Sequence, residues 1–234
     1  MKDLSSPRPK GAIVDYGLGN LFSIRRACDY AGISVTVTSS KEEILGADLV
    51  ILPGVGAFGD AMATLNRLDL IGVLQDVAAS GKHLVGICLG VQLLMTESSE
   101  FGRHRGLGII EGPVVRFENP LEESRLLKVP QVQWNRIVRP EGPERKNEGW
   151  KGTPLEGVVE GEFFYFVHSF YVCPTDRSVV LSMSRYGGIE FCSSLRQGNV
   201  FACQFHPERS GPVGLKIYNN IARIVGVIKG ERAA

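Results

Sequence analysis

Lys82-His83-Leu84-Val85-Gly86-Ile87-Cys88-Leu89-Gly90-Val91-Gln92-Leu93-Leu94 is the stretch whose reading decides the fold. A short apolar run ends in Gly86-Ile87-Cys88-Leu89-Gly90 and passes straight into a helical pattern. Glycines two residues before and two after the cysteine give the cysteine form of a strand–turn–helix nucleophile elbow. The sharp turn needs them so that neighbouring elements can approach. A cysteine held there stands at a helix N-terminus, where free amide N–H groups and the macrodipole favour the thiolate, the form that attacks carbonyls. Most buried cysteines are small core hydrophobes, so the elbow alone does not separate a nucleophile from a packing thiol.

A second stretch far downstream tips the balance: Phe201-Ala202-Cys203-Gln204-Phe205-His206-Pro207-Glu208. A strand-like run ends in a histidine, with a carboxylate two residues on. Cys88, His206 as general base and Glu208 to orient it are the parts of a nucleophilic triad. Both stretches sit at strand ends, where α/β folds place their chemistry.

Composition narrows the class. A chain of 234 residues is long enough for one large core, and 44% hydrophobic with 22% charged residues describes an ordinary soluble protein. The net charge of +1, with no long run of one sign, gives no reason to expect nucleic acid or an anionic membrane as partner. No apolar run reaches the length of a membrane span. Residues 1–10 carry no apolar signal region and read as a flexible tail ahead of a single domain, 11–234. Five dispersed cysteines (28, 88, 173, 192 and 203) lack paired or metal-ligand spacing. They fit free thiols in a cytoplasmic protein, with no metal and no cofactor expected.

Upstream of the elbow the pattern alternates. Ala12 to Tyr16 reads as a strand, Gly17 to Asn20 as a turn, and Leu21 to Ala31 as a helix closed by Gly32. Ile33 to Thr38 is a second strand, Ser40 to Leu45 a short capped helix, and Asp48 to Leu52 a third strand. Gly17-Leu18-Gly19 lacks the third glycine and the acidic residue of a dinucleotide fingerprint. Pro53-Gly54-Val55-Gly56-Ala57-Phe58-Gly59 needs backbone freedom, for turns or for close approach to a ligand. Gly54, Val55 or Gly56 can turn an N–H toward the cysteine to bind an oxyanion, where one donor is worth about a hundred- to a thousandfold in rate. Asp60 to Ser80 reads as two helical pieces. This order gives a parallel, doubly wound α/β sheet flanked by helices.

After the elbow helix the pattern changes. Ser98 to Gly106 is polar, and Glu97 and Glu100 are expected close to the helix end. Short strand-like runs follow at Leu107–Ile110, Val114–Phe117, Leu126–Val132, Phe163–Val172, Ser178–Ser184, Ile189–Leu195 and Val200–Phe205, adding antiparallel strands to the C-terminal half. Pro140 to Thr153 reads as a surface loop. Gly214 to Val227 is an amphipathic helix, with a tail from Ile228.

With Pro53-Gly54-Val55-Gly56, the elbow and His206-Pro207-Glu208 in place, the chain resembles class I (triad) glutamine amidotransferases over nearly its whole length. Within that family it is most similar to the glutaminase subunits of imidazole glycerol phosphate synthase. The narrower likeness rests on Asp15 to Asn20, Pro53 to Phe58, Arg105 to Gly108, Tyr165 to Tyr171 and Gln204 to Glu208. The resemblance implies that Cys88 forms a γ-glutamyl thioester with glutamine, that His206 shuttles the proton and that Glu208 orients His206. It implies an oxyanion site shaped by Gly54, Val55 and the Leu89 amide. It implies glutamine contacts from Gln92, Glu100, His168, Ser169 and Phe170. The family's partner is a separate (β/α)8-barrel cyclase that receives the ammonia and makes imidazole glycerol phosphate and an aminoimidazole carboxamide ribonucleotide, in a heterodimer.

The segment implied to meet that partner departs from the family's Pro-His-Met-Gly-Trp-Asn. Here it is Pro130-Gln131-Val132-Gln133-Trp134-Asn135, and Gln133 is bulkier than glycine and less free to take a positive φ. Arg209 stands where the family has lysine, keeping the charge but changing the donor geometry. Paralogues with this architecture feed ammonia to amidino-sugar synthesis, and stand-alone γ-glutamyl hydrolases share a similar elbow and histidine. The departures touch the implied interface of Gln131, Gln133, Trp134, Asn135 and Arg209, not the triad.

Overall fold

The computed structural model describes residues 9–141 and 149–233, with side chains described to residue 226. The expected tail therefore lies outside the described residues for residues 1–8, as does half of the expected surface loop, residues 142–148.

The first half of the chain is a βα alternation. β1 (Lys10–Val14), α1 (Leu21–Ala31), β2 (Ser34–Thr38), α2 (Lys41–Gly46) and β3 (Leu49–Leu52) follow in order. α3 (Phe58–Arg67), α4 (Ile71–Ala79) and β4 (His83–Ile87) complete it. Local chemistry sets the helix limits. Asn20 accepts from the Ser23 N–H at the start of α1, and Gly32 takes a left-handed φ of 81° to end it. Ser40 caps α2 through the Glu43 N–H.

Strand alternation then divides the core into two layers. Ala12, Val14, Val50, Leu52, Leu84 and Ala202 face α2, α3 and α4. Ile13, Leu49, Ile51, Val85, Ile87, Phe201 and Cys203 face the opposite way, into the side closed by α1 and the C-terminal helix. Both faces of these strands are covered, which is why they read as near-continuous apolar runs.

The second half departs from the sequence reading. The elbow helix α5 spans only Leu89–Leu93. Met95–Ser98 (β5) is a strand running parallel to β7 (Ile110–Arg116), with β6 (His104–Arg105) beside it. Glu97 therefore lies on a strand and Glu100 in the turn beyond it, not at a helix end. The expected strand at Leu107–Ile110 starts only at Ile110, because the Leu107 N–H is drawn back to the Leu93 carbonyl.

A small hairpin, β8 (Leu121–Glu122) with β9 (Arg125–Leu126), precedes β10 (Gln131–Arg136). The expected strand over Leu126–Val132 is broken over 127–130: the Leu127 N–H goes to the Pro120 carbonyl, and Pro130 cannot donate a ladder hydrogen bond. The run Phe163–Val172 is two strands in two sheets. β11 (Phe163–His168) pairs with β10, and β12 (Phe170–Val172) joins the main sheet beside β7 and β14. β13 (Val180–Tyr186), β14 (Ile189–Gln197), β15 (Val200–Cys203) and α6 (Gly211–Ala233) end the chain. α6 thus begins earlier and runs further than Gly214–Val227, through most of the expected tail. In the expected surface loop, Trp150 is buried and donates its Nε1–H to the Leu181 carbonyl at 2.7 Å, so that end of the segment is core.

The main sheet runs in the order β2-β1-β3-β4-β15-β14-β12-β7-β5-β6, with β13 on β14. From β2 to β15 it is parallel, and the added strands of the C-terminal half are largely antiparallel. The order 2-1-3-4 followed by a fifth parallel strand is flavodoxin-like. In such sheets ligands sit beyond the carboxyl ends of the strands. The loops after β1, β3, β4 and β15 are there.

Candidate active site

Cys88 immediately follows β4 and has φ 55° and ψ −109°, a conformation that costs a non-glycine residue about 1–3 kcal/mol. Its N–H donates to the Cys203 carbonyl at 2.8 Å, and its carbonyl accepts from the Val91 N–H at 3.1 Å, which over-determine the turn. The flanking glycines serve close packing. A Cβ on Gly90 would lie 2.0 Å from the Leu52 carbonyl oxygen, and one on Gly86 would lie 3.0 Å from the Gly90 backbone. One expectation needs correction. α5 is only five residues long, so few peptide dipoles add up behind the sulfur and a helix N-terminus is not its main support.

β15 is hydrogen-bonded along β4 with Cys203 opposite Ile87, so the segment after β15 arrives beside the elbow. His206 Nδ1 meets Glu208 Oε1 at 2.9 Å, and both side chains are almost fully buried. A carboxylate only accepts, so Nδ1 carries the proton and Nε2 is left for the sulfur. Nε2 is buried without a nitrogen or oxygen partner. Burial pulls the His206 pKa down, but the Cys88 sulfur and then Glu208 outweigh it and push it up to about 10. Thiol, imidazole and carboxylate are thus in series, with the imidazole held ready to carry a proton.

Tyr165 ties the triad to β11 and through it to the surface. Its N–H donates to Ser210 Oγ (3.1 Å), its carbonyl accepts the His206 N–H (2.9 Å), and Ser210 Oγ donates to the His206 carbonyl (2.7 Å). The Tyr165 ring stands edge-on to Trp134 at 6.2 Å and lies 6.3 Å from the His206 ring, with the Arg209 guanidinium 4.9 Å over it.

Comparison with known proteins accords with this geometry. The family model described as glutamine amidotransferase class-I matches residues 12–223. The chain belongs to that family. It is 42% identical over 210 residues to the imidazole glycerol phosphate synthase subunit HisH of Chlorobium luteolum, covering 90% of this chain and 98% of the relative. It is 44% identical over 211 residues to the HisH subunit of Rhodopirellula baltica, covering 90% and 95%. Among solved structures, PurLQS from Thermotoga maritima superposes with a TM-score of 0.67 over 93% of this chain and 99% of the other. At 20% identity that likeness speaks for the fold alone.

The other residues expected to form this amidotransferase site divide into three groups. At the oxyanion position, the Leu89 N–H points at the Gly54 carbonyl at 3.4 Å. In a trans peptide the carbonyl and the next N–H point opposite ways, so the Val55 N–H is turned away from that spot. Gly54 itself is obligatory, since a Cβ there would come within 2.6 Å of Tyr16 Oη and 2.8 Å of Leu89 Cβ. Tyr16 Oη in turn donates to the Pro53 carbonyl at 2.6 Å, tying the loops after β1 and β3 together.

Of the residues expected to contact glutamine, Glu100 accepts the Phe58 N–H on Oε2 at 2.6 Å, bracing the start of α3. The His168 side chain is a correction. Its imidazole is turned into the core among Phe117, Phe166 and Phe191, with Nδ1 on the Phe170 carbonyl at 2.8 Å. Burial brings its pKa down to about 4, so it is neutral. It braces the turn at Ser169 and Phe170 and leaves their backbone, not its own ring, for any ligand. Gln92 is likewise buried, and its Nε2 donates to the Phe170 carbonyl (3.0 Å) and to Gln204 Oε1 (3.1 Å).

In the expected interface segment, Trp134 is 51% exposed, Gln133 is exposed, and Asn135 donates to the Arg185 carbonyl. Gln131 is a correction. It pairs across β10 and β11 with His168 and is completely buried, so its side chain offers nothing to a partner. Gln133 sits in regular extended pairing with Phe166, and no positive φ is required of it here.

Sequence reasoning did not assign site roles to Tyr165, Ser210 or Gln204, although Tyr165 and Gln204 lie in stretches that carried the resemblance and Ser210 lies two residues beyond one. Their signal is positional. Each flanks a triad residue in sequence or across strands, and only the pairing of β11 with the turn after β15 gives them a role. All five cysteines are free thiols, and burial drives the Cys28 pKa up to about 12. Among the described residues no cluster of His, Cys, Asp and Glu suits a metal ion, and no helix is long and apolar enough to cross a membrane.

Proposed function

We propose that the chain is the glutaminase subunit of an imidazole glycerol phosphate synthase. It hydrolyses glutamine with Cys88, His206 and Glu208, and passes the ammonia to a separate (β/α)8-barrel cyclase in cytoplasmic histidine biosynthesis. The observation that carries the reading is the buried Glu208–His206–Cys88 series at the ends of β4 and β15, in a chain 42–44% identical to HisH subunits.

The chemistry follows from the atoms present. The Cys88 sulfur attacks the side-chain carbonyl carbon of glutamine, and the carbonyl electron pair moves onto oxygen. His206, protonated and held by Glu208, gives its proton to the leaving amine as the C–N bond breaks, and ammonia departs from a thioester. It then takes a proton from water, whose hydroxyl oxygen displaces the sulfur to release glutamate. The oxyanion site is built from the Leu89 and Val55 amides. Rotation of the Gly54–Val55 peptide frees the Leu89 N–H and brings the Val55 N–H round. Gly56, with its φ of 101°, supplies a flexible flank for that rotation.

Partner docking is supported by the exposed apolar side of β10 and β11, where Val132, Trp134 and Phe163 are 56%, 51% and 42% exposed. Tyr165 lies on that same side and is linked to His206 by backbone and by ring. Docking there therefore reaches the base through one residue.

The test is glutamate release from glutamine by the purified chain, alone and then with the same organism's cyclase and its ribonucleotide ligand. Strong stimulation by both together is expected, and loss of all release in Cys88→Ala. Release that ignores the cyclase would overturn the pathway assignment, and release by Cys88→Ala would overturn the nucleophile.

A further inference from the structure

The sulfur of Cys88 has a second polar neighbour besides His206. Gln204 Nε2 lies 3.7 Å from Cys88 Sγ, and the side chain of Gln204 is completely buried. On another side, the Val167 carbonyl oxygen is 3.8 Å from Sγ. These two contacts favour opposite states. An amide N–H donates to a sulfur lone pair and favours the charged sulfur, whereas a carbonyl can only accept an S–H and favours the neutral thiol.

Which end of the Gln204 amide faces the sulfur is fixed by a chain of groups that begins at a main-chain carbonyl. The Phe170 carbonyl can only accept. It takes His168 Nδ1 at 2.8 Å and Gln92 Nε2 at 3.0 Å. Gln92 therefore presents its nitrogen inward, and the second N–H of that group goes to Gln204 Oε1 at 3.1 Å. With its oxygen used there, Gln204 has only its nitrogen left for Cys88. The reversed amide would set two N–H donors against each other at one end and an oxygen against sulfur at the other. Gln92, Gln204 and His168 are all buried, so water is not on hand to rescue a wrong orientation.

We propose that Gln204 is a catalytic residue of this enzyme: its side-chain amide donates to Cys88 Sγ and holds the nucleophile as the thiolate, in an orientation set by Gln92 and the Phe170 carbonyl. This rests on Cys88 being the nucleophile. It gives Gln92 Nε2 the positioning of Gln204, beside any contact its Oε1 makes with glutamine. It also supplies what a five-residue helix does not, a donor aimed at the sulfur. The charged and titratable groups that bear on Cys88 are His206 and Glu208 from the turn after β15, Tyr16 from the loop after β1, and Cys203 from β15. Of these, protonated His206 favours the thiolate, and the Gln204 dipole adds a neutral donor to it.

The test is the pH dependence of Cys88 alkylation by iodoacetamide, read at the Cys88 peptide by mass spectrometry, in the wild-type chain, Gln204→Met and Gln204→Glu. Methionine keeps the volume and removes the donor. Glutamate keeps an oxygen for Gln92 and puts at the sulfur a carboxylate oxygen, which cannot donate and whose charge adds to the upward shift, so methionine is the cleaner removal of the donor. The expected result is that the alkylation midpoint moves up by about one to two pH units, the scale of one hydrogen bond to a charged group. The high-pH plateau is kept or raised about threefold per unit, because a more basic thiolate is the better nucleophile. A merely structural role would lower the plateau and leave the midpoint in place.

Gln92→Met, which frees Gln204 to turn over, should shift the midpoint in the same direction by less. An unchanged midpoint in either folded Gln204 variant overturns the proposal. Glutamate release by Cys88→Ala is a separate measurement, and its persistence would overturn the underlying assignment instead.

Discussion

Replacing Ser210 by alanine removes one oxygen and should disturb both stability and catalysis. Ser210 is 2% exposed. Its Oγ accepts the Tyr165 N–H and donates to the His206 carbonyl. The His206 carbonyl keeps a second donor, the Arg209 N–H at 3.0 Å, so there the loss is one ordinary hydrogen bond, about 0.5–1.5 kcal/mol. The Tyr165 N–H has no such reserve. Its carbonyl points to His206 rather than across to β10, which puts its N–H on the same side, away from the ladder. Left without an acceptor in this part-buried position beside buried Ser210, it costs about 1–3 kcal/mol.

The two contributions together come to about 1.5–4.5 kcal/mol. The hydroxyl leaves too little room for a water to replace it. For a domain of this size about 2–4 °C of Tm is lost per kcal/mol, so Ser210→Ala should melt about 3–18 °C lower, the middle of the range being near 9 °C. Glutamate release should fall as well, since β11 no longer clips the turn that carries His206. Thermal melts followed by circular dichroism, with Ser210→Thr as a hydroxyl-retaining control, decide it. A Ser210→Ala melt within about 2 °C of wild type would refute the reasoning, because it would mean that the Tyr165 N–H is not buried or finds another acceptor.

Two further outcomes follow from the same geometry. Gly90→Ala puts a Cβ 2.0 Å from the Leu52 carbonyl oxygen, and restoring even a 3.0 Å contact takes a shift of at least 1.0 Å (3.0 − 2.0) of elbow or strand. Such overpacking costs about 1–3 kcal/mol, and a displacement of that size near the nucleophile lowers turnover by about a hundredfold. Gly72→Ala on α4, with nothing within 4 Å, should leave both unchanged or gain stability slightly, and equal behaviour of the two variants would sink the steric argument. The second concerns pH. His206 holds its proton in the fold up to about 10 and releases it near 6.5 when unfolded. Its contribution to stability is therefore complete below about pH 6.5 and is lost as pH rises through about 10. The Tm of wild type minus that of His206→Asn should shrink steadily across that window, and a constant difference would contradict the assigned protonation.

The legible parts of this protein were those in which chemistry is local. α1 appeared at its full extent because apolar spacing and a terminal glycine lie within a dozen residues. The elbow and the His206–Glu208 turn were legible as motifs for the same reason. The strand Met95–Ser98 was hidden behind an apolar run that fits a helix equally well, and only its parallel pairing with β7 selects the extended form. Gln131 read as a docking residue because the resemblance implied that its segment meets the partner, yet a strand sends alternate side chains to opposite faces and its own faces His168.

The sequence by itself determined the chemistry available: a cysteine between glycines, a histidine with a carboxylate two residues on, and enough alternating apolar segments for a parallel sheet. Only the tertiary structure decided how those groups are tuned. Residues 88, 167, 204 and 206 lie on three strands far apart in the chain or at their ends. The contacts of Gln204 with Cys88, and of Tyr165 and Ser210 with His206, exist only once β15 pairs with β4 and β11 lies against the turn beyond it. Hydrogen bonds act over about 3 Å, so no spacing along the chain records which groups meet at that distance.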